Sequence, residues 1–515
     1  MTRRHEGTFS AKTRLAYLRT MAAETVDMLV IGGGITGAGI ARDAALRGLR
    51  VALVEKGDFA SGTSSRSTKL IHGGLRYLRQ GEFSLVREAA RERAVLYRIA
   101  PQLTLPTPLL VPVYDSPLLG LLTLRLGLWL YEKLGAVTAA DRHRLLSADE
   151  THRREPLLRQ HGLNGAGVYI EYLTDDARLV IDTVKSAARA GALVASYTEA
   201  RSLLRRNEKI SGAIVREAWN HDELSVQARV VVNAAGPWVD TVRALDGVVH
   251  GKRLHLTKGI HLVIPRQRLP LSMMVLMVAQ DQRLVFAVPR GEMVYIGTTD
   301  TSSPHPMERP EISRSEVAYL LTTVNQAFPD VHVQVADIGA AWAGLRPLVH
   351  QEGKSPSEIS RRDEILVSHS GLISIAGGKL TTYRCMAERV VDLVGKILHE
   401  QWGTTPLGRS VTAEHPLTDN QEFSPRSDFR AQPHTFTESE IQYALDEEMV
   451  MTVEDFLDRR TSVSLFTPDN GLGHLEYVVQ TMAASCDWDT ARMQQEMAAY
   501  RSFIREMKAF ADASA

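Results

Sequence analysis

The chain has two cysteines in 515 residues, Cys385 and Cys486, too few and too far apart for a disulfide framework or a thiolate zinc site. That scarcity suggests a reducing compartment, with each cysteine acting as small apolar filler. Net charge is lacking too. Sixty Lys and Arg balance sixty Asp and Glu, so no global field steers the chain toward nucleic acid or an anionic membrane, and any anion site must be local. No stretch reaches the ~18–20 uninterrupted apolar residues of a spanning helix. The nearest, residues 117–134, is shorter and carries Arg125; it reads as a buried helix, or as an interfacial one with Trp129 and Tyr131 at headgroup level. Residues 1–24 hold Arg3, Arg4, Lys12, Arg14 and Arg19 without an apolar core, which excludes a secretory signal, and Glu6 and Glu24 argue against a transit peptide. A loosely attached N-terminal extension is expected there. Repeats and low-complexity tracts are absent. The remainder, 44% hydrophobic and 23% charged, is ordinary globular usage at a length sufficient for two or three domains.

What is present is concentrated first in residues 28–55. A buried-strand run, Met28 to Ile31, opens into Gly32-Gly33-Gly34-Ile35-Thr36-Gly37, followed by a small-residue helix and a second strand ending at Glu55. This is a dinucleotide-binding βαβ pattern. Gly32 permits the tight turn, Gly34 lets the backbone approach a pyrophosphate, and Gly37 lets the helix pack closely while its N-terminal amides face the anion. Glu55, 18 residues beyond Gly37, is placed to accept from ribose hydroxyls.

The loop Ala60 to Lys69 follows, dense in hydroxyls at Thr63, Ser64 and Ser65, a composition suited to hydrogen-bonding phosphate and ring edges. Further on, the strand Ala228 to Val232 enters Asn233-Ala234-Ala235-Gly236-Pro237-Trp238, where Gly236 again admits backbone close to a ligand. Residues 254–300 alternate with the period of antiparallel strands. After a Pro-, Ser- and Asp-punctuated stretch, Thr437-x-x-Glu440 and Thr452-x-x-Asp455 read as helix starts.

A second strand–glycine–helix junction lies some 345 residues after the first, at Ile373 to Tyr383, with Gly377-Gly378-Lys379-Leu380-Thr381 at its turn. A flavin needs two anion-tolerant termini, one under the pyrophosphate and one facing the pyrimidine end of the ring, where negative charge collects on reduction. Two junctions therefore favour FAD over NAD.

From residue 29 to 384 the chain carries, in order, VIGGGITGAGIARDAALRGLRVALVEKGDFASGTSSRSTKLIHGGLRYL, TDDARL, NAAGPWVD, KGIHLVIPR, IGTTD, AGLRPL and GGKLTTYR, with EEMVMTVEDFLDRRT nearer the C-terminus. With these motifs it resembles the FAD-dependent glycerol-3-phosphate dehydrogenases, quinone-linked or oxygen-linked, within the D-amino-acid-oxidase-like flavoproteins. The nucleotide motif alone marks an FAD or NAD enzyme; IHGGLRYL, AGLRPL and GGKLTTYR carry the substrate class. Two places depart from the family pattern. Arg290 stands where an aromatic or uncharged residue is expected, and the segment Ser360-Arg361-Arg362-Asp363 lacks an expected His.

The resemblance implies an α/β chain, α+β overall. Residues 25–100, 165–240 and 340–400 would form a Rossmann-like FAD-binding domain, and 101–164 with 241–339 an antiparallel-sheet substrate domain. Residues 401–434 would be a linker and 435–515 a helical C-terminal domain. Noncovalent FAD would lie on Gly32, Gly34, Gly37, Glu55 and Lys56 at its adenosine end. Thr63, Ser64, Ser65, Gly236, Gly377, Gly378, Lys379, Leu380 and Thr381 would hold the rest, and no metal is called for.

Oxidation of the secondary alcohol of glycerol 3-phosphate requires a base, a hydride acceptor and cations for the phosphate. Arg76, with Tyr77 beside it, Arg346 and Lys379 are the expected substrate contacts, and His72 or His261 the base. The acceptor is expected to be membrane quinone, reached by a cytoplasmic protein peripheral on the inner face of the membrane. Oxygen as acceptor, or an amine-oxidising chemistry of the same superfamily, are the alternatives. A nucleic-acid partner is not expected, and a homodimer is left open.

Overall fold

Val26–Ile31 and Val51–Val54 are near-continuous apolar runs, the pattern of strands covered on both faces in a parallel sheet. In the computed structural model, which describes residues 9–74, 81–115, 120–135, 142–247, 253–305, 307–350, 362–418 and 437–512, these two strands pair in parallel at the centre of an eight-stranded sheet. Glu223–Asn233 flanks Val26–Ile31 on the other side, and Leu193–Ala195 and Ile373–Ala376 continue the parallel order outward. The helix Ile35–Leu46 lies across this sheet. Its Gly39 makes room for the ring of Tyr383 on the long helix Tyr383–Trp402, since a Cβ there would stand 2.8 Å from the ring.

The second sheet has ten strands and is mostly antiparallel. Leu254–Pro265 pairs with Met293–Gly297, Thr301–Ser303 and Ala340–Val349; Met293–Gly297 pairs with Leu284–Arg290, which pairs with Met274–Val278. Met274–Val278 meets Leu105–Tyr114 in parallel, and that strand runs antiparallel to Leu163–Leu173. The expected division of the chain is corrected here: Leu163–Leu173 and Ala340–Val349 belong to this sheet, not to the nucleotide-binding one. Ala340–Val349 misleads because both its faces are covered. Ala341 and Ala343 pack toward the helix Arg314–Ala327, while Trp342 packs toward the C-terminal Phe466, so the strand reads as the uninterrupted run of a parallel sheet.

The expected loose attachment of the N-terminus does not hold for residues 9–23. The helix Ala11–Ala23 buries Tyr17, Leu18 and Met21 in the nucleotide-domain core. Arg14 is buried as well. It donates to the carbonyls of Ser196 (2.6 Å) and Tyr197 (2.9 Å) and pairs with Glu217 at 2.8 Å. After residue 437 the chain is helical, and Thr437 and Glu440 form the expected capping box.

The helix Leu121–Gly135 turns Leu124, Leu128 and Tyr131 inward. Gly167 admits the two leucines, because a Cβ there would come within 2.8 Å of Leu124. Tyr131 is therefore buried, not at a headgroup level. The opposite face leaves Leu122 79%, Leu126 63% and Trp129 50% exposed. Among the described residues no helix is long and apolar enough to cross a membrane.

Candidate active site

The first junction is built by backbone geometry that only glycine supplies. Gly32 has φ +111°, and a Cβ on Gly37 would stand 1.9 Å from the Gly32 carbonyl oxygen. The helix Ile35–Leu46 can begin there only because that side chain is missing. Its first amides face the turn, with the Ile35 N–H donating to Ser64 Oγ at 3.0 Å. Glu55 closes the other side, accepting from the N–H groups of Gly33 (2.6 Å) and Gly57 (2.9 Å). Lys56 lays its ammonium 3.9 Å from the centre of the Trp238 ring.

The second junction meets the first across a cavity of about 740 Å³. Gly377 and Gly378 are both left-handed, φ +78° and +83°, and turn the chain so that Lys379 and Leu380 line the same cavity as Gly32, Gly34, Glu55, Lys56, Thr63 and Ser64. Gly236, φ +55°, borders it with nothing within 4 Å of the place a Cβ would take. A cavity of this size lined both by a helix N-terminus with an acid and by a double-glycine turn with a lysine fits FAD.

The hydroxyl-rich loop forms one wall of this cavity and is fastened on its far side to one face of the ten-stranded sheet. Thr63 donates to the Leu345 carbonyl (2.5 Å), Trp342 Nε1 to the Ser67 carbonyl (3.2 Å) and Tyr295 to the Thr68 carbonyl (3.0 Å). Lys69, fully buried, is held by Asp176 (2.6 Å) and the Ser65 carbonyl (2.9 Å). Three glycines open that sheet face: Cβ atoms at Gly259, Gly297 and Gly344 would collide with Arg346, His261 and Arg66 respectively.

His261 stacks on Trp342, 4.6 Å between rings and 11° apart, and its Nε2 lies 3.0 Å from Thr68 Oγ1. Its Nδ1 is buried and has no hydrogen-bond partner among the described residues. Burial, then Arg346, then Lys69 push the imidazole well below its ordinary pKa, so it is neutral near pH 7. Arg346 is held over Gly259 by the Thr298 hydroxyl (2.9 Å), the Thr299 carbonyl (3.2 Å) and Asp300 (3.1 Å).

The expected site residues do not all fall in one place. Gly32, Gly34, Glu55, Lys56, Thr63, Ser64, Gly236, Gly377, Gly378, Lys379 and Leu380 share the cavity wall. Gly37, Ser65 and Thr381 are not among the lining residues, and His261 and Arg346 stand on the face of the ten-stranded sheet to which the loop is fastened. His72 adjoins the second junction, its carbonyl accepting from Thr381 Oγ1 at 3.2 Å. Arg76 and Tyr77 lie outside the described residues. Arg290, the departure from the family pattern, is buried in a pair with Asp175 (2.9 Å), 4.1 Å from the centre of the Phe466 ring. Arg362 donates to Ser84 at 2.8 Å. Sequence reasoning did not assign the cavity residues Tyr197, Arg459, Glu496 and Tyr500. Arg459 lies within EEMVMTVEDFLDRRT, which marks the family without indicating a ligand contact, and Tyr197, Glu496 and Tyr500 lie in none of the quoted motifs.

This fold and cavity define a flavin-binding oxidoreductase of two sheets with a helical C-terminal region. The FAD dependent oxidoreductase family model matches residues 27–384, and a C-terminal domain of alpha-glycerophosphate oxidase matches residues 411–493. The chain belongs to the FAD-dependent oxidoreductase family and, within it, to the group of the aerobic glycerol-3-phosphate dehydrogenases. It is 47% identical to the aerobic glycerol-3-phosphate dehydrogenase of Bacillus subtilis over 80% of this chain and 74% of that one. With the Staphylococcus aureus enzyme of the same name it shares 38% identity over 95% and 96% of the two chains. The glycerol-3-phosphate dehydrogenase of Bacillus halodurans, solved with FAD, superimposes with a TM-score of 0.76 at 32% identity, covering 97% of this chain and 98% of that one.

Proposed function

We propose that the protein oxidises the secondary alcohol of sn-glycerol 3-phosphate to dihydroxyacetone phosphate and passes the electrons to a membrane quinone. The observation that carries this reading is the single loop, residues 61–69, that walls the cavity on one side and grips His261 and the strand of Arg346 on the other. Bound FAD supplies the hydride acceptor. The remaining tasks fall to the chain. Arg346, pre-oriented by three oxygen acceptors, offers a planar guanidinium to the phosphate, and Lys379 a point charge to the developing alkoxide. Arg76 and Tyr77 complete the set of expected substrate contacts. His261 is favoured over His72 as base, because its imidazole is neutral near pH 7 and its Nδ1 has no hydrogen-bond partner among the described residues.

The helix Leu121–Gly135 supports membrane contact. Leu122, Leu126 and Trp129 form an exposed apolar stripe with Arg125 and Lys133 exposed on the same helix, the composition of a surface lying at a headgroup boundary on the cytoplasmic face. The enzyme's yellow flavin should bleach anaerobically with glycerol 3-phosphate and remain oxidised with glycerol or amino acids. Re-oxidation by a quinone analogue faster than by oxygen supports the quinone route; stoichiometric peroxide with slow quinone reduction replaces it with the oxygen-linked one.

A further inference from the structure

The loop that carries Glu55 is gripped from behind by the two ends of the chain. Asp58, three residues on, is fully buried and accepts from both nitrogens of an Arg460 fork (2.7 and 2.9 Å) and from Arg459 Nε at 2.6 Å. Both arginines belong to the C-terminal helical region, some 400 residues downstream. Arg459 also reaches Asp455 (2.7 Å), which accepts from the Tyr197 hydroxyl at 2.6 Å, and the Tyr197 and Thr198 amides hold the carbonyls of Gly57 (2.8 Å) and Glu55 (2.7 Å). From the N-terminal side Phe9 packs on Phe59, ring centres 5.7 Å apart, and the Phe9 carbonyl accepts from the Met449 N–H. Arg459 and Tyr197 themselves line the cavity.

We infer that the C-terminal helical region is a working part of the FAD site, and that Arg459 and Arg460, through Asp58, hold the Glu55 loop in the position that receives the adenosine end of the cofactor. The two arginines are positioning residues, since they act through Asp58 and Glu55. A fork on a buried carboxylate fixes both the distance and the plane of the loop. Two guanidinium groups outweigh the burial of Asp58 and keep its carboxyl below the usual range, so the contact is ionic at neutral pH. Coupling of this kind is reciprocal: docking of the C-terminal region favours FAD, and FAD favours docking.

The test compares Asp58→Asn and Arg460→Met with Lys185→Met. Lys185 ties the same C-terminal region to the helix Asp176–Arg189, through the Tyr443 hydroxyl (2.8 Å) and Glu447 (3.4 Å), outside the cavity lining. Full-length apoprotein is titrated with FAD and followed by quenching of flavin fluorescence. The first two variants should bind FAD at least tenfold more weakly, with the KM for glycerol 3-phosphate of the FAD-saturated enzyme unchanged within twofold. Lys185→Met should bind FAD as the wild type does, and Arg460→Lys should fall between. FAD affinity within twofold of wild type for Asp58→Asn and Arg460→Met overturns the inference, as does equal loosening by Lys185→Met. Should the buried-pair variants fail to fold, hydrogen exchange on the wild-type chain decides. Removing FAD should speed exchange in residues 455–460 together with 56–60 while the helix Arg314–Ala327, outside the cavity lining, stays protected; no change in 455–460 overturns it.

Discussion

Gly34 and Gly37 stand three residues apart in one turn, yet they should fail for different reasons. A methyl at Gly37 would lie 1.9 Å from the Gly32 carbonyl oxygen, about 1.5 Å closer than ordinary contact. The obstacle is backbone. Relief requires the helix Ile35–Leu46 to move off the sheet, where Ala38, Ile40, Ala41 and Ala44 are fully buried, so Gly37→Ala should cost about 3 kcal/mol or more of stability. A methyl at Gly34 meets only Ser64 Oγ, at 3.1 Å, the end of a side chain that can rotate away. The loss is then one hydrogen bond from the Ile35 N–H, about 1 kcal/mol. Both substitutions fill or displace the pyrophosphate cradle, so both should abolish FAD retention. Urea unfolding of the apoproteins gives the stability difference, and flavin absorbance per chain gives the occupancy. A Gly34→Val variant that purified with full FAD, or a Gly37→Ala apoprotein within about 1 kcal/mol of wild type, would refute this reasoning.

Arg346→Ala removes a largely desolvated cation and should lower kcat/KM for glycerol 3-phosphate by on the order of 2–4 kcal/mol, or roughly 30- to 900-fold, with normal flavin content. Arg346→Lys should recover only part, since an ammonium cannot make the two-pronged contact; full recovery speaks against a phosphate fork. Because burial and two neighbouring cations lower the His261 pKa, its neutral form persists below pH 6.5. The rate of flavin reduction should therefore stay flat from pH 8 to 6.5 and fall only in more acid solution. An acid limb centred above pH 7 would exclude His261 as the base. The same shift means that the stability contributed by neutral, buried His261 is complete above about pH 6.5 and is lost as pH falls below that value. Leu122→Ser with Leu126→Ser should leave the melting temperature unchanged, the two side chains being exposed, while weakening binding to lipid vesicles at least a hundredfold, on the order of 1.5–3 kcal/mol per leucine no longer buried. Unchanged vesicle binding would remove this helix as the membrane surface.

The cofactor cradle was legible in the sequence because its information is local. Gly32 to Gly37, Glu55 and the Gly377-Gly378-Lys379 turn each announce their conformation within a few residues, and the structure gathers them around one cavity. What was not legible depends on distant partners. Leu163–Leu173 and Ala340–Val349 are extended on any reading, but the sheet they join is decided by ladders to strands about 60 and 85 residues away. The N-terminal helix hid its apolar stripe because Arg14 occupies one of the four inward positions at 14, 17, 18 and 21, where it is paired with the distant Glu217. Arg459 and Arg460 stand in one quoted motif and their partner, Asp58, in another, but nothing local to either announces the pairing, since some 400 residues separate them.

Anaerobic reduction of the bound flavin, followed at its visible absorbance with glycerol 3-phosphate and with glycerol in turn, tests the proposed chemistry most directly. Glycerol lacks the phosphate that Arg346 and Lys379 are proposed to contact, so glycerol 3-phosphate should bleach the flavin at least a hundredfold more efficiently, with Arg346→Ala losing most of that preference. Equal efficiency for the two alcohols, or no bleaching by either, would contradict it.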